Sequence, residues 1–142
     1  MLGTLAKWLR IFGYDTIYVK DMDDDAIAKI AIKEDRILIT RDKMLASRVK
    51  NSIYLENNGL KNQIKKLIRE LNLKIDGKKL LTRCTVCNEK VVNVEKERIR
   101  GKVPEYVYKT HDEFYICPRC GRIYWIGTHF KNMMKFIEEL KI

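Results

Sequence analysis

The sequence predicts an α/β protein in two parts. A parallel sheet with flanking helices is expected over residues 1–75, and a small β ribbon ending in a C-terminal helix over residues 82–142. Three observations predict this. Helical and strand-like hydrophobic spacings alternate from residue 2 to residue 72 as α-β-α-β-α-β-α, the rhythm of a parallel sheet covered by helices. A polar connector over 73–81, with Asp76-Gly77-Lys78-Lys79, then separates that rhythm from a run of short β segments. All four cysteines fall in the second part, as the pairs Cys84/Cys87 and Cys117/Cys120.

Taken in order, residues 2–12 place Leu2, Leu5, Leu9 and Phe12 on one helical stripe, with Gly13 as the stop. Residues 15–19 read as a short strand. The acidic run 21–25 leads into a helix over 24–34 that carries Ile27, Ile30 and Ala31. Residues 36–40 are apolar in the manner of a buried strand, and a short helix with Met44, Leu45 and Val49 follows. Residues 52–55 read as another strand, and Asn57-Asn58-Gly59 breaks the chain before an amphipathic helix bearing Leu60, Ile64, Leu67, Ile68 and Leu71. A unit of this kind ordinarily opens with a strand, so either the first strand is missing or the record begins at an internal methionine. In the second part, strands are expected at 91–94, 106–108, 114–116 and 123–126, and a helix over 130–140.

Apolar residues make up 46% of the chain, which supports a packed interior and excludes a disordered one. No stretch approaches the ~20 apolar residues of a membrane span. The first residues have basic side chains within their apolar pattern and lack a small-residue cleavage site, unlike a signal peptide, so a cytoplasmic location is expected. The net charge of +10 is divided evenly between residues 1–75 and 76–142, so no basic tail accounts for it. A folded basic surface favours a polyanion partner, most simply nucleic acid; the plainer alternative is a lysine-rich, solvated surface.

Each Cys-x-x-Cys pair can form a knuckle, a tight turn that directs two thiolates at one metal while backbone N–H groups bond the sulfurs. Gly121 follows the second pair and Asn88 the first, and both residue types tolerate the positive φ such a turn needs. Two knuckles make a closed four-thiolate site, so Cys84, Cys87, Cys117 and Cys120 are expected to hold one structural zinc. Two disulfides, a redox dithiol or an iron–sulfur cluster are the competing uses of four cysteines.

In a parallel α/β sheet, ligands bind at the rim where the strands end. Asp21, Asp23, Asp24 and Asp25 follow the expected strand 15–19, and Asp42 follows 36–40. Carboxylates meeting at such a rim can hold Mg²⁺ or Mn²⁺, which activates water and neutralises phosphodiester charge. The alternative is that Asp24 caps its helix and that Asp42 sits in a helical first turn.

The string Met1-Leu-Gly-Thr-Leu-Ala-Lys-Trp-Leu-Arg10, Gly13-Tyr14-Asp15, the run 23–25 and Ile39-Thr40-Arg41-Asp42 together resemble the Mut-seven-C RNase domain family, a PIN-like nuclease domain with an appended zinc ribbon. The second half resembles it in the same order: Arg83-Cys84-x-x-Cys87-Asn88, Val103-Pro104-x-Tyr106-Val107, Thr110-His111-Asp112-Glu113-Phe114, Cys117-Pro118-x-Cys120-Gly121 and Tyr124-Trp125-x-Gly127-Thr128-His129. The resemblance implies a PIN-like sheet and a metal-dependent ribonuclease in which Asp24 and Asp42, with Asp23 and Asp25 as near alternatives, hold Mg²⁺ or Mn²⁺. It also implies RNA as the partner, with Lys7, Arg10 and Arg41 on the phosphate backbone and Arg119 and Arg122 extending the track; a solvated helix face is the other reading of Lys7 and Arg10. PIN-like domains carry an aspartate at the end of their first strand, and this sequence starts after that point, which implies a weakened or inactive nuclease. The rival expectation is therefore a non-catalytic RNA-binding or ribonucleoprotein-associated zinc-ribbon protein. His111 and His129 are expected to pack or to support the metal site, with RNA contact or catalysis as the alternative. Tyr108, Tyr115, Tyr124 and Trp125 are expected to fill the ribbon core, with base stacking as the alternative.

Overall fold

A computed structural model describes residues 2–140. Among them the chain is mixed α/β, with six α-helices, one 3₁₀ turn, a small parallel sheet and a small antiparallel sheet. It divides into two compact units. The first holds residues 2–6 and 17–74, the second residues 7–16 and 75–140. Residues 7–16 thus group with the cysteine-bearing part. No helix among the described residues is long and apolar enough to cross a membrane.

Helix α1 (Leu2–Ile11) buries Leu5, Ala6 and Leu9, three and four residues apart. It ends at Gly13, φ 96°, where Gly13 N–H donates to Arg10 O and Tyr14 N–H to Leu9 O. That pair of bonds closes the last turn and requires the left-handed conformation glycine adopts at no steric cost. A Cβ at Gly13 would lie 2.7 Å from Lys79 O, so the residue also permits a close backbone approach.

In the first unit, α2 (Asp24–Lys33) starts at Asp23, whose carboxylate accepts from Ala26 N–H, and ends at Asp35, φ 51°, with Arg36 N–H donating back to Ala31 O. Strand β1 (Leu38–Thr40) runs parallel to β2 (Ser52–Tyr54), with α3 (Lys43–Arg48) as the crossover. Ala28, Ala31, Leu38, Leu45 and Val49, joined by Ile27, form one core. Helix α4 (Leu60–Leu71) buries Gln63, Ile64 and Leu67 and stops at Asn72 in the left-handed region.

The strand expected over 15–19 is not formed. Its central polar groups have other partners: Thr16 N–H donates to the Asn88 side chain at 2.9 Å, and Thr16 O accepts from Arg10 Nε at 2.9 Å. Ile17 and Tyr18 remain exposed. A lone extended segment satisfies its backbone wherever donors and acceptors are available, and here they come from Asn88, after the first cysteine knuckle, and from Arg10 on α1. The parallel sheet is accordingly two-stranded among the described residues.

In the second unit, β3 (Val92–Val94), β4 (Phe114–Ile116) and β5 (Ile123–Tyr124) form an antiparallel sheet in the order β3-β4-β5. Ile99, from the 3₁₀ turn Lys96–Ile99, packs with Val107 and Phe114 and is flanked by Val94, Val103, Tyr108, Ile123 and Trp125. Residues 106–108, expected as a strand, lie instead in α5 (Glu105–Thr110), which Pro104 precedes. The Tyr-Val-Tyr run favours a strand by composition, but a helix turns Val107 into the core and leaves Tyr106 71% exposed, so packing overrides propensity. Helix α6 (Thr128–Leu140) buries Met133, Ile137 and Leu140, and Trp8 stacks on Phe136 with ring centroids 4.2 Å apart.

Candidate metal centre and sheet rim

Cys84 and Cys117 each open a tight turn, and the same bonds recur behind both. Asn88 N–H donates to Cys84 O and Gly121 N–H to Cys117 O, each at 2.9 Å; Cys84 N–H donates to Glu89 O at 2.8 Å and Cys117 N–H to Arg122 O at 2.9 Å. Asn88 and Gly121 have φ of 69° and 78°, the conformation their positions demand. These turns bring the four Sγ atoms within 4.8 Å of one another. Sulfurs about 2.3 Å from a tetrahedral zinc stand about 3.8 Å apart, and the Cys84–Cys120 separation is 3.7 Å. All four are free thiols, too widely spaced there for a sulfur–sulfur bond. The set could therefore hold a structural metal such as zinc.

The electrostatics favour a cation at this centre. Burial raises the Cys84 pKa, but hydrogen bonds from Tyr124 and from the backbone N–H groups of Cys87 and Val86 bring it down to about 7. The hydrogen bond with Cys120 and the neighbouring sulfurs push Cys87 up to about 12, and burial raises Cys117. Four thiols this close cannot all ionise without a positive charge among them. The Tyr124 hydroxyl lies 3.0 Å from Cys84 Sγ and accepts from Thr85 N–H at 3.3 Å, which fixes its orientation. Burial, followed by that sulfur contact, raises the Tyr124 pKa to about 12. The sequence marked Tyr124 only as a core or stacking residue; its place on strand β5, four residues after Cys120, was the available signal.

Arg10 is buried beside the first knuckle. The residue is 9% exposed, and its guanidinium donates to Thr16 O at 2.9 Å, Thr85 O at 2.8 Å and Val86 O at 3.3 Å. Burial lowers its pKa, and Cys84, Cys87 and Asp15 oppose that shift. The guanidinium thus clamps the backbone of the first knuckle. Asn88 and Arg83 add to it: Asn88 Nδ2 donates to Asp15 Oδ1 at 2.6 Å, and Arg83 donates to Gly13 O at 3.2 Å and Asn88 O at 2.8 Å.

Both acidic segments, residues 21–25 and Asp42, lie in the first unit. Because β1 and β2 are parallel, Thr40 and Tyr54 end side by side, and Asp42 follows Thr40 after Arg41. Asp42 Oδ1 accepts from Met44 N–H at 2.9 Å and Leu45 N–H at 3.1 Å, capping α3, and Asp42 N–H donates to the buried Thr40 hydroxyl at 3.1 Å. Asp23, rather than Asp24, caps α2. Asp25 pairs with Arg48, whose pKa is raised first by that hydrogen bond and charge and further by Asp24 and Asp23. Arg48, which the sequence reading passed over, therefore sits among the acidic run. Asp42 caps the start of α3 and Arg48 closes its end, a helix about 9 Å long. Among the described residues, the four cysteines are the one set of three or more potential ligands whose atoms lie together.

Lys7 and Arg41 are exposed. Arg122 is exposed, and Arg119 reaches Glu89 at 3.8 Å. His111 Nδ1 lies 2.9 Å from Thr110 Oγ1 and 3.2 Å from Val107 O, at the end of α5, and His129 meets the Trp125 ring edge-on at 6.5 Å. Both histidines have local partners, and His129 is exposed.

Nothing among curated proteins or solved structures matches the chain. The model of one family, described as the Mut7-C RNAse domain, matches residues 1–137, and on that nearly complete match the chain belongs to the Mut7-C RNAse domain family.

Proposed function

We propose that this chain is a Mg²⁺- or Mn²⁺-dependent ribonuclease domain acting on RNA in the cytoplasm, with zinc at its four cysteines in a purely structural role. The match to an RNAse-domain family over residues 1–137 is the observation that carries the reading. Asp42 and Asp24, with Asp23 and Asp25 as near alternatives, would hold the divalent ion. Capping is compatible with this, since the Asp42 and Asp23 caps both use Oδ1 and leave Oδ2 for a ligand. A divalent ion supplies, when bound, an activated water and charge neutralisation at phosphate. Lys7 and Arg41 would contact the RNA backbone, with Arg119 and Arg122 as further basic contacts. Reduced cytoplasmic thiols suit the zinc role of the cysteines.

The test is cleavage of labelled RNA with Mn²⁺ by the wild type and by Asp42→Asn. The substitution removes the charge but keeps the shape, and a loss of at least a hundredfold is expected; equal cleavage by the two proteins removes Asp42 from the reaction.

A second reading, RNA binding without cleavage, is favoured by the ion pair of Asp25 with Arg48. A guanidinium amid the acidic run supplies the positive charge a divalent ion would otherwise bring. Binding that weakens with salt while no divalent ion produces cleavage selects it.

A further inference from the structure

A cluster of one ring and two lysines lies at the end of the parallel strands. Tyr54 is the last residue of β2, opposite Thr40 in the parallel register. Lys43, the first residue of α3, holds its ammonium 5.4 Å from the Tyr54 ring centroid, and Lys66, from α4, holds its own 5.8 Å from the same centroid. Two helices thus bring two cations to one half-buried ring, directly beside Asp42.

A purely structural cation–π contact explains one of these lysines. Lys66 Nζ donates to Tyr54 O at 2.6 Å, which fixes the end of the strand. Lys43 has no such duty: it is exposed, and its ring contact is what holds it there. Neither lysine forms an ion pair among the described residues. Two ammonium groups sharing one ring repel each other, and the ring quadrupole offsets only part of that. An anion placed between them relieves it.

We propose that Tyr54, Lys43 and Lys66 form a platform for one nucleotide of single-stranded RNA, with the base against the ring and the flanking phosphates against the two ammonium groups. This rests on the reading of the rim as the phosphodiester site and specifies the substrate as single-stranded. The aromatic ring decides the class. A base in a duplex is stacked on its neighbours and offers no free face, whereas an unpaired base stacks on any exposed aromatic surface. Lys43 sits on a flexible stem at a helix start, so it can move from the ring to a phosphate and open the ring face as it does so. The platform lies next to Asp42, and the bound nucleotide is thereby held beside the carboxylate.

Binding of a fluorescent oligouridylate to the zinc-loaded protein, without Mg²⁺ or Mn²⁺, tests the platform apart from cleavage. Tyr54→Leu is expected to weaken single-strand binding about tenfold, while Tyr54→Phe, which keeps the ring, retains it. Lys43→Ala, at an exposed helical position, should leave melting unchanged, weaken binding severalfold and reduce the slope of log K against log salt by about 0.7. Duplex RNA should show no loss with Tyr54→Leu. Wild type that cleaves with Mn²⁺ but whose single-strand binding ignores both Lys43→Ala and Tyr54→Leu overturns the platform alone. Binding that needs both residues, in a protein that never cleaves, supports the platform and overturns the catalytic reading. Wild type that binds no RNA overturns both.

Discussion

Replacing Cys117 with serine is expected to unfold the second unit, not merely to weaken its metal site. The buried apolar core of that unit's sheet is small, centred on Ile99, Val107 and Phe114. The two knuckles join its sheet to the segment before it, since Cys117 leads out of β4 and Cys84 sits on the bridge between Arg83 and Lys90. Structural zinc in a closed thiolate site contributes about 10–16 kcal/mol near neutral pH, as much as or more than the roughly 5–15 kcal/mol by which a domain is stable at all. Chelation of the metal should have the same effect as the substitution. Circular dichroism melts with metal content measured alongside check this: the serine variant and the chelated wild type should both lose the cooperative transition of the second unit. A metal-free Cys117→Ser protein that melts like the wild type contradicts it.

Arg10→Gln is expected to cost about 3 kcal/mol and to weaken zinc binding by tenfold or more. The arginine gives three hydrogen bonds to carbonyls at a site 9% exposed, and its loss leaves Thr16 O, Thr85 O and Val86 O short of a charged donor. Two of those carbonyls lie inside the first knuckle, between Cys84 and Cys87, so the substitution also loosens the turn that aims both sulfurs. Lysine should not rescue it, because a single ammonium cannot reproduce the fork that spans Thr16 and the knuckle. Urea unfolding of the zinc-loaded protein measures the first effect, and competition with a chromophoric chelator measures the second. A variant with unchanged midpoint and unchanged zinc affinity would return Arg10 to the phosphate-facing role its sequence position suggests.

Arg10 also shows where sequence reading stops. Lys7 and Arg10 look alike on a helical wheel, but the Schellman-type turn at Gly13 sends the chain back so that Arg10 meets residues more than seventy positions away. No local pattern records such a meeting. The knuckles were legible because their chemistry is local: two cysteines three apart, followed by Asn88 or Gly121, dictate the turn whatever surrounds them. Helices α1, α2, α4 and α6 were legible for a related reason, since their apolar stripes and stop signals lie within one segment. The failures came where tertiary partners decide. Residues 15–19 have strand composition but form no ladder, and 106–108 have strand composition but a helix buries Val107 better. The sequence reading named Asp42 and the acidic run, yet left Arg48 out, because an ion pair between α2 and α3 depends on how two helices pack.

The claim on which the catalytic account depends is that Asp24 and Asp42 share a divalent cation. Electron paramagnetic resonance of Mn²⁺ titrated into the zinc-loaded protein measures this without RNA. The account predicts one bound Mn²⁺ per chain, with affinity falling at least tenfold in both Asp24→Asn and Asp42→Asn while zinc content stays constant. Identical Mn²⁺ titrations for the wild type and both variants would contradict it.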